Sequence, residues 1–200
     1  MSLKFYDTMS RKKVALKPIK PGLVTLYACG LTVYNDPHIG NWRAYINWDI
    51  LVRTLRENKL KVEHVQNITD VGHLTDDEDS GDDKLQVAAD KERKTAWDVA
   101  ERYAERAKQG RADLSIIEPS HSPKATEYIE QQINLVKKLE DKGLTYQIDK
   151  DGIYFDTSKL SDYGKLARLD LEGLKSGARI VNVGKKNPTD FALWKFSPKG

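Results

Sequence analysis

Two rhythms of apolar and polar positions organise the chain. After the turn signal Pro21-Gly22, residues 23–29 ("LVTLYAC") read as a buried strand rich in β-formers. From about His38 to Asn58 the rhythm turns helical. Tyr45, Trp48, Val52 and Leu55 recur at helical spacing, and Ile46, Ile50 and Leu51 widen the apolar face. Asn58 suits the helix exit, and residues 60–66 read as a second strand. Strand, helix, strand makes a βαβ unit with parallel strands, so the loop after Cys29 and the loop "NITD" (residues 67–70) are expected to open on one sheet edge. Open α/β sheets bind ligands at that carboxyl edge.

Further along, residues 84–111 read as one helix, with Leu85, Ala89, Ala96, Val99, Tyr103 and Ala107 near helical spacing. Glu118-Pro119 breaks the chain. Residues 124–142 predict another helix, with Ile129, Ile133, Val136 and Leu139 on one face and Gly143 at its end. Residues 146–148 and 153–155 flank "DKDG" and predict a hairpin. Residues 157–187 have weak periodicity, so loops and short elements are expected there.

Composition narrows the class. A chain of 200 residues, 39% hydrophobic and 32% charged, suits one soluble domain with room for a small insertion. No apolar run approaches the roughly 18 residues of a membrane helix, and "MSLKFYD" lacks an apolar signal core. The single cysteine excludes an internal disulfide and fits a reducing cytoplasm, so a cytoplasmic location and no membrane partner are expected. The net charge of +3 is small but unevenly spread. Residues 75–83 ("TDDEDSGDD") are densely acidic, whereas residues 159–200 hold nine Lys/Arg against four acids. Both read as solvated surface, and the basic stretch also suits an anionic partner such as RNA.

Chemistry concentrates in "YACGLTVYNDPHIGN" (residues 27–41). His38, Gly40 and Asn41 fall at a helix start, where unpaired N–H groups and the positive dipole end favour anions. Donors fixed there suit phosphoryl or nucleotidyl transfer. Taken alone, His38 also reads as a loop residue and Gly40 as a packing glycine. Cys29 reads either as a small core hydrophobe or, beside Gly30 at the strand's carboxyl end, as a thiolate able to ligate zinc. Asn67 and Thr69 suit ligand contact or turn chemistry. His64 and His121 read as ordinary histidines, and His73 borders the acidic stretch.

In combination, "YACGLTVYNDPHIGNWRAY", "NITD", "EPSHSPKATEYI", "GARI" and "NPTDFALWK" resemble, in order and spacing, the N-terminal half of the class I cysteinyl-tRNA synthetases. The likeness spans nearly the whole chain. It implies an α/β fold: the first half of a Rossmann-like nucleotide-binding fold with a parallel sheet (residues 1–117), an inserted α+β connective segment (118–187), and a return strand towards the second half (188–200). It implies that L-cysteine is activated with ATP, with Mg2+ as counter-ion, to cysteinyl-adenylate and transferred to tRNA(Cys) by a monomer. It further implies Cys29 as one ligand of a zinc ion that grips the substrate thiolate, the other ligands lying beyond residue 200. Cys29, Gly30, Thr32, Asn67 and Thr69 would line the amino-acid site. Thr32, His38, Gly40 and Asn41 would bind ATP, with His38 and Asn41 catalytic.

Three departures from the family pattern stand out. Asn41 replaces the commoner histidine, residues 70–85 are longer than usual, and the later zinc ligands, Lys-Met-Ser-Lys-Ser loop and anticodon-binding domain are expected after residue 200. The chain alone is therefore expected not to charge tRNA. Two other readings stay open: a mycothiol-type ligase joining cysteine to an amino-sugar, and a non-catalytic paralogue or nucleic-acid-binding module on the same scaffold.

Overall fold

A computed structural model describes residues 3–71, 84–92, 94–169 and 184–196. The elements run β1 (Lys4–Asp7), β2 (Lys12–Ala15), β3 (Leu23–Ala28), α1 (Ile39–Glu57), β4 (Lys61–Gln66), α2 (Lys84–Glu92), α3 (Ala96–Asp113), α4 (Ile129–Asp141), β5 (Thr145–Ile148), β6 (Gly152–Phe155) and β7 (Phe191–Lys195). Short 3-10 turns cover Ala125–Tyr128 and Thr157–Lys159. The chain divides into two units, Lys17–Ile129 and Met1–Leu16 with Glu130–Gly200. The acidic stretch at residues 75–83, His73 and "GARI" at 177–180 lie outside the described residues.

In the unit Lys17–Ile129, β3 and β4 pair in parallel from Leu23 opposite Lys61 to Ala28 opposite Gln66. α1 supplies the crossover that parallel strands need. The expected βαβ unit is present, and Asn58 forms the helix exit. Tyr45, Val52 and Leu55 are buried as their spacing foretells, but Ile46 and Ile50 stay exposed, so the buried stripe is narrower than the apolar pattern. A further parallel contact follows β4 at Val65 with His121 and Ile68 with Lys124. It is held by Gln66 N to His121 O (3.0 Å) and Ile68 N to Pro123 O (2.8 Å). The sequence gives no hint of it, because "SHSPK" has no apolar alternation.

The expected single helix over residues 84–111 is two helices. Thr95 caps the second: its hydroxyl accepts from Asp98 N (3.1 Å), and Asp98 Oδ2 accepts from Thr95 N (3.2 Å). This reciprocal cap fixes a new helix start inside an otherwise continuous periodicity. Leu31 and Val33, in the loop after β3, are buried with Ala89 of α2 and Val99, Ala100, Tyr103 and Ala107 of α3. Burying an aliphatic side chain stabilises by about 1.5–3 kcal/mol, so this loop is anchored by its own hydrophobic core.

The second unit is antiparallel. β1 and β2 form a hairpin, Lys4 opposite Ala15 to Asp7 opposite Lys12. It was not expected, because its lysines obscure any alternation. α4 starts later than the pattern suggests, after the turn Ala125–Tyr128, and ends before Gly143, whose φ of 67° favours glycine. The hairpin across "DKDG" forms as β5 and β6. The strand expected to return to the parallel sheet forms as β7, but it pairs antiparallel with β6. The reason is local. Asp190, just before β7, is 2% exposed and accepts from Thr157 N (2.9 Å), Thr157 Oγ1 (2.8 Å) and Tyr146 Oη (2.8 Å), which docks β7 beside β6. Among the described residues, no helix is long and apolar enough to cross a membrane.

Candidate active site at the rim of the parallel sheet

β3 and β4 end level with one another, and the loops that leave them lock together. Gly30 N donates to Asn67 Oδ1 at 2.8 Å, and Asn67 Nδ2 donates to Thr69 Oγ1 at 3.0 Å. Thr69 N donates to Leu31 O (3.0 Å) and Val33 N to Thr69 O (3.2 Å), so Thr32 and Thr69 continue the parallel ladder as an isolated bridge. A Cβ on Gly30 would fall inside the Asn67 carbonyl, so only glycine allows this approach. Gly30, Thr32, Asn67 and Thr69 are thus brought together. Cys29, which begins the loop, is exposed rather than buried in the core.

The start of α1 forms a second group. His38 is its N-cap: Nδ1 accepts from Gly40 N at 3.0 Å, while His38 N donates to Asn41 Oδ1 at 3.0 Å. A Cβ on Gly40 would lie 2.8 Å from His38 Cε1, so the glycine makes room for the capping ring. With Nδ1 accepting, the neutral imidazole carries its proton on Nε2. Nε2–H and the Asn41 amide NH2 therefore remain as donors for an outside partner, at a terminus where anions are favoured. Asparagine serves this cap fully, which accounts for its presence at position 41.

Sequence reasoning missed two polar residues behind the rim. Gln66 donates from Nε2 to Cys29 O at 3.1 Å, and its Oε1 accepts from Arg111 Nη2 at 2.7 Å. The signals were there: Gln66 falls on the inward face of β4 with His64, and Arg111 follows Tyr103 and Ala107 on the buried face of α3. His64 is also buried, and burial, then Arg111 and Arg56, hold its imidazole below the ordinary histidine value, hence neutral at pH 7. Burial pushes the Tyr45 phenol up, with Arg111 opposing.

A zinc ion wants about four donors. Cys29 offers one exposed thiol, but among the described residues no three His, Cys, Asp or Glu side chains converge. These residues do not make a zinc site by themselves.

A family model described as "tRNA synthetases class I (C) catalytic domain" matches residues 15–200. The chain belongs to this class I tRNA synthetase family. Among similar curated proteins, Cysteine--tRNA ligase 1 of Burkholderia lata is 48% identical over 198 residues, covering 99% of this chain and 42% of that protein. Cysteine--tRNA ligase of Zymomonas mobilis is 49% identical over 195 residues, 96% of this chain and 37% of its own length. That of Thermus thermophilus is 42% identical over 201 residues, 100% of this chain and 42% of its own. The chain therefore spans about two-fifths of the length of these class I relatives. A solved ternary complex of Agrobacterium radiobacter K84 agnB2 LeuRS with tRNA and LeuAMS is 22% identical with a TM-score of 0.52, covering 72% of this chain and 18% of that one. That likeness is one of fold, and it agrees with the α/β class I synthetase architecture.

Proposed function

We propose that the full protein is a cysteine–tRNA ligase and that this chain supplies the first half of its active site. In the first step the cysteine carboxylate attacks the α-phosphorus of ATP, the bond to the β-phosphate oxygen breaks, and pyrophosphate leaves. In the second, a hydroxyl of the terminal tRNA ribose attacks the aminoacyl carbonyl and AMP leaves. The observation that carries the reading is the convergence of residues 29–32 and 67–69 at the carboxyl rim of a parallel pair, within a chain whose curated relatives are cysteine–tRNA ligases.

His38 Nε2–H and the Asn41 amide donate to the triphosphate, where charge builds as pyrophosphate departs. Gly40 serves ATP binding by leaving room for the His38 ring that caps the helix start. Gly30, Thr32, Asn67 and Thr69 shape the amino-acid face. Cys29 is the zinc ligand this chain supplies, the others lying outside it, and the bound ion would hold the substrate thiolate. Mg2+ accompanies ATP as counter-ion. Residues 1–117 carry the first half of the nucleotide-binding fold, 118–187 the connective insertion, and 188–200 lead out of it. The enzyme acts as a monomer in the cytoplasm, a setting that the lone, unpaired thiol suits.

Cysteine-dependent ATP–pyrophosphate exchange by the full-length protein tests this. Exchange with L-cysteine but not L-serine or L-alanine is expected, with kcat/KM at least about a hundredfold lower in Cys29→Ser. Exchange that ignores cysteine, or transfer to an amino-sugar in place of tRNA, would refute it.

A further inference from the structure

The peptide between Cys29 and Gly30 has two polar groups, and side chains of consecutive residues hold both. Gln66 Nε2 donates to the Cys29 carbonyl at 3.1 Å, and the Gly30 N–H donates to Asn67 Oδ1 at 2.8 Å. The peptide is planar, so anchoring both groups fixes its plane and the backbone from which the Cys29 side chain departs. A glutamine amide could present either its oxygen or its nitrogen to that carbonyl. Arg111 removes the choice. A guanidinium only donates, and its Nη2 lies 2.7 Å from Gln66 Oε1, so the NH2 group must turn towards Cys29. Gln66 and Arg111 are 3% and 9% exposed, which shields this exchange of hydrogen bonds from water. Arg111 is held in turn by Glu118, 3.5 Å from Nη1, and over the Tyr45 ring at 5.4 Å.

We propose that Gln66, oriented by Arg111, is a positioning residue that locks the peptide between Cys29 and Gly30 and so aims Cys29 at the amino acid. The assignment rests on reading residues 29–32 as the amino-acid face. Gln66 itself touches no substrate. It acts from behind the rim, through a single carbonyl.

Gln66→Glu separates positioning from packing. The carboxylate matches the amide in size and binds Arg111 as an ion pair, but it has no proton for the Cys29 carbonyl. In full-length protein, KM for L-cysteine in pyrophosphate exchange should rise about tenfold, with KM for ATP within about twofold. Hydrogen exchange at the Gly30 amide should accelerate about tenfold while amides inside α1 hold their rates. Should the glutamate variant fail to fold, Arg111→Lys keeps the charge but loses the planar fork that orients Gln66, and the same split is expected. An unchanged KM for cysteine, equal shifts in both KM values, or Gly30 exchange moving in step with α1 would overturn the proposal. Absence of cysteine-dependent exchange in the unsubstituted protein would instead remove the ligase reading, and the Gly30 measurement would still decide whether Gln66 locks the peptide.

Discussion

The two units solve the same problem in opposite ways. Each gathers polar side chains where strands end, but the parallel unit leaves chemistry on offer and the antiparallel unit closes it off. At the rim, Gln66, Asn67 and Thr69 bind backbone or one another beside an exposed thiol, and the start of α1 keeps the donors of His38 and Asn41 on offer. Around Asp190 the side-chain oxygens are taken up internally: Thr157, Tyr146 and Asn187 all donate to one buried carboxylate. Burial alone would push the Asp190 carboxyl up, yet these donors hold it below the ordinary aspartate value of 3.8. A polar cluster at a strand end is thus a site only when its members leave something unsatisfied at the surface.

The sharpest break of this contrast is Gly30→Ala, whose methyl group has no space beside Asn67. We expect more than about a hundredfold loss of cysteine-dependent exchange and about 3 kcal/mol of stability, read by urea unfolding. Asp190→Ala should cost about 3 kcal/mol by stranding buried donors, with amide exchange faster in β5–β7 and unchanged in β3 and β4. Faster exchange in both units would show that they do not fold independently of this carboxylate. The acid limb follows the same group. Its folded value is lowered, so its contribution is complete above pH 3.8 and fades as pH falls through the depressed value, a trend the alanine variant should lack.

His38→Ala should lose about 1 kcal/mol of helix stability and slow exchange at least about tenfold, whereas His38→Asn should restore the cap without restoring the rate. The smallest effect belongs to Tyr146. Burial, with Asp190 adding to it, pushes its phenol up to about 12 from the ordinary 10. Its stabilisation is therefore complete below pH 10 and lost as pH rises through 12. Beside the raised phenols of Tyr45 and Tyr154, spectrophotometric titration should show a late tyrosine at about 12 that is absent in Tyr146→Phe, a variant destabilised by about 1 kcal/mol.

Much of this was legible in the sequence because the signals were local. The parallel βαβ unit followed from the change of period between residues 23–29 and 38–58, and the meeting of Gly30, Thr32, Asn67 and Thr69 from the glycine and short polar side chains at its turns. The hidden parts depend on partners far along the chain. Gln66 and Arg111 look unremarkable until folding puts 2.7 Å between them. The parallel contact of His121 and Lys124 with the residues around β4 is made by backbone hydrogen bonds and flanked by the Ser120 hydroxyl and the Asp70 carboxylate, none of which leaves an apolar pattern in the sequence. Thr95 did announce a helix start, but Asp98 in place of the usual Glu or Gln made the announcement easy to read past.

The reciprocal cap at residues 38 and 41 has one more consequence. Because His38 Nδ1 and Asn41 Oδ1 each accept from a backbone N–H, it is the polar hydrogens of these two side chains that stay on offer to solvent. An arriving phosphate meets donors from both side chains. The helix start thus offers donors by occupying its acceptors rather than by net charge, and like any exposed helix terminus its preference for anions should weaken as salt rises.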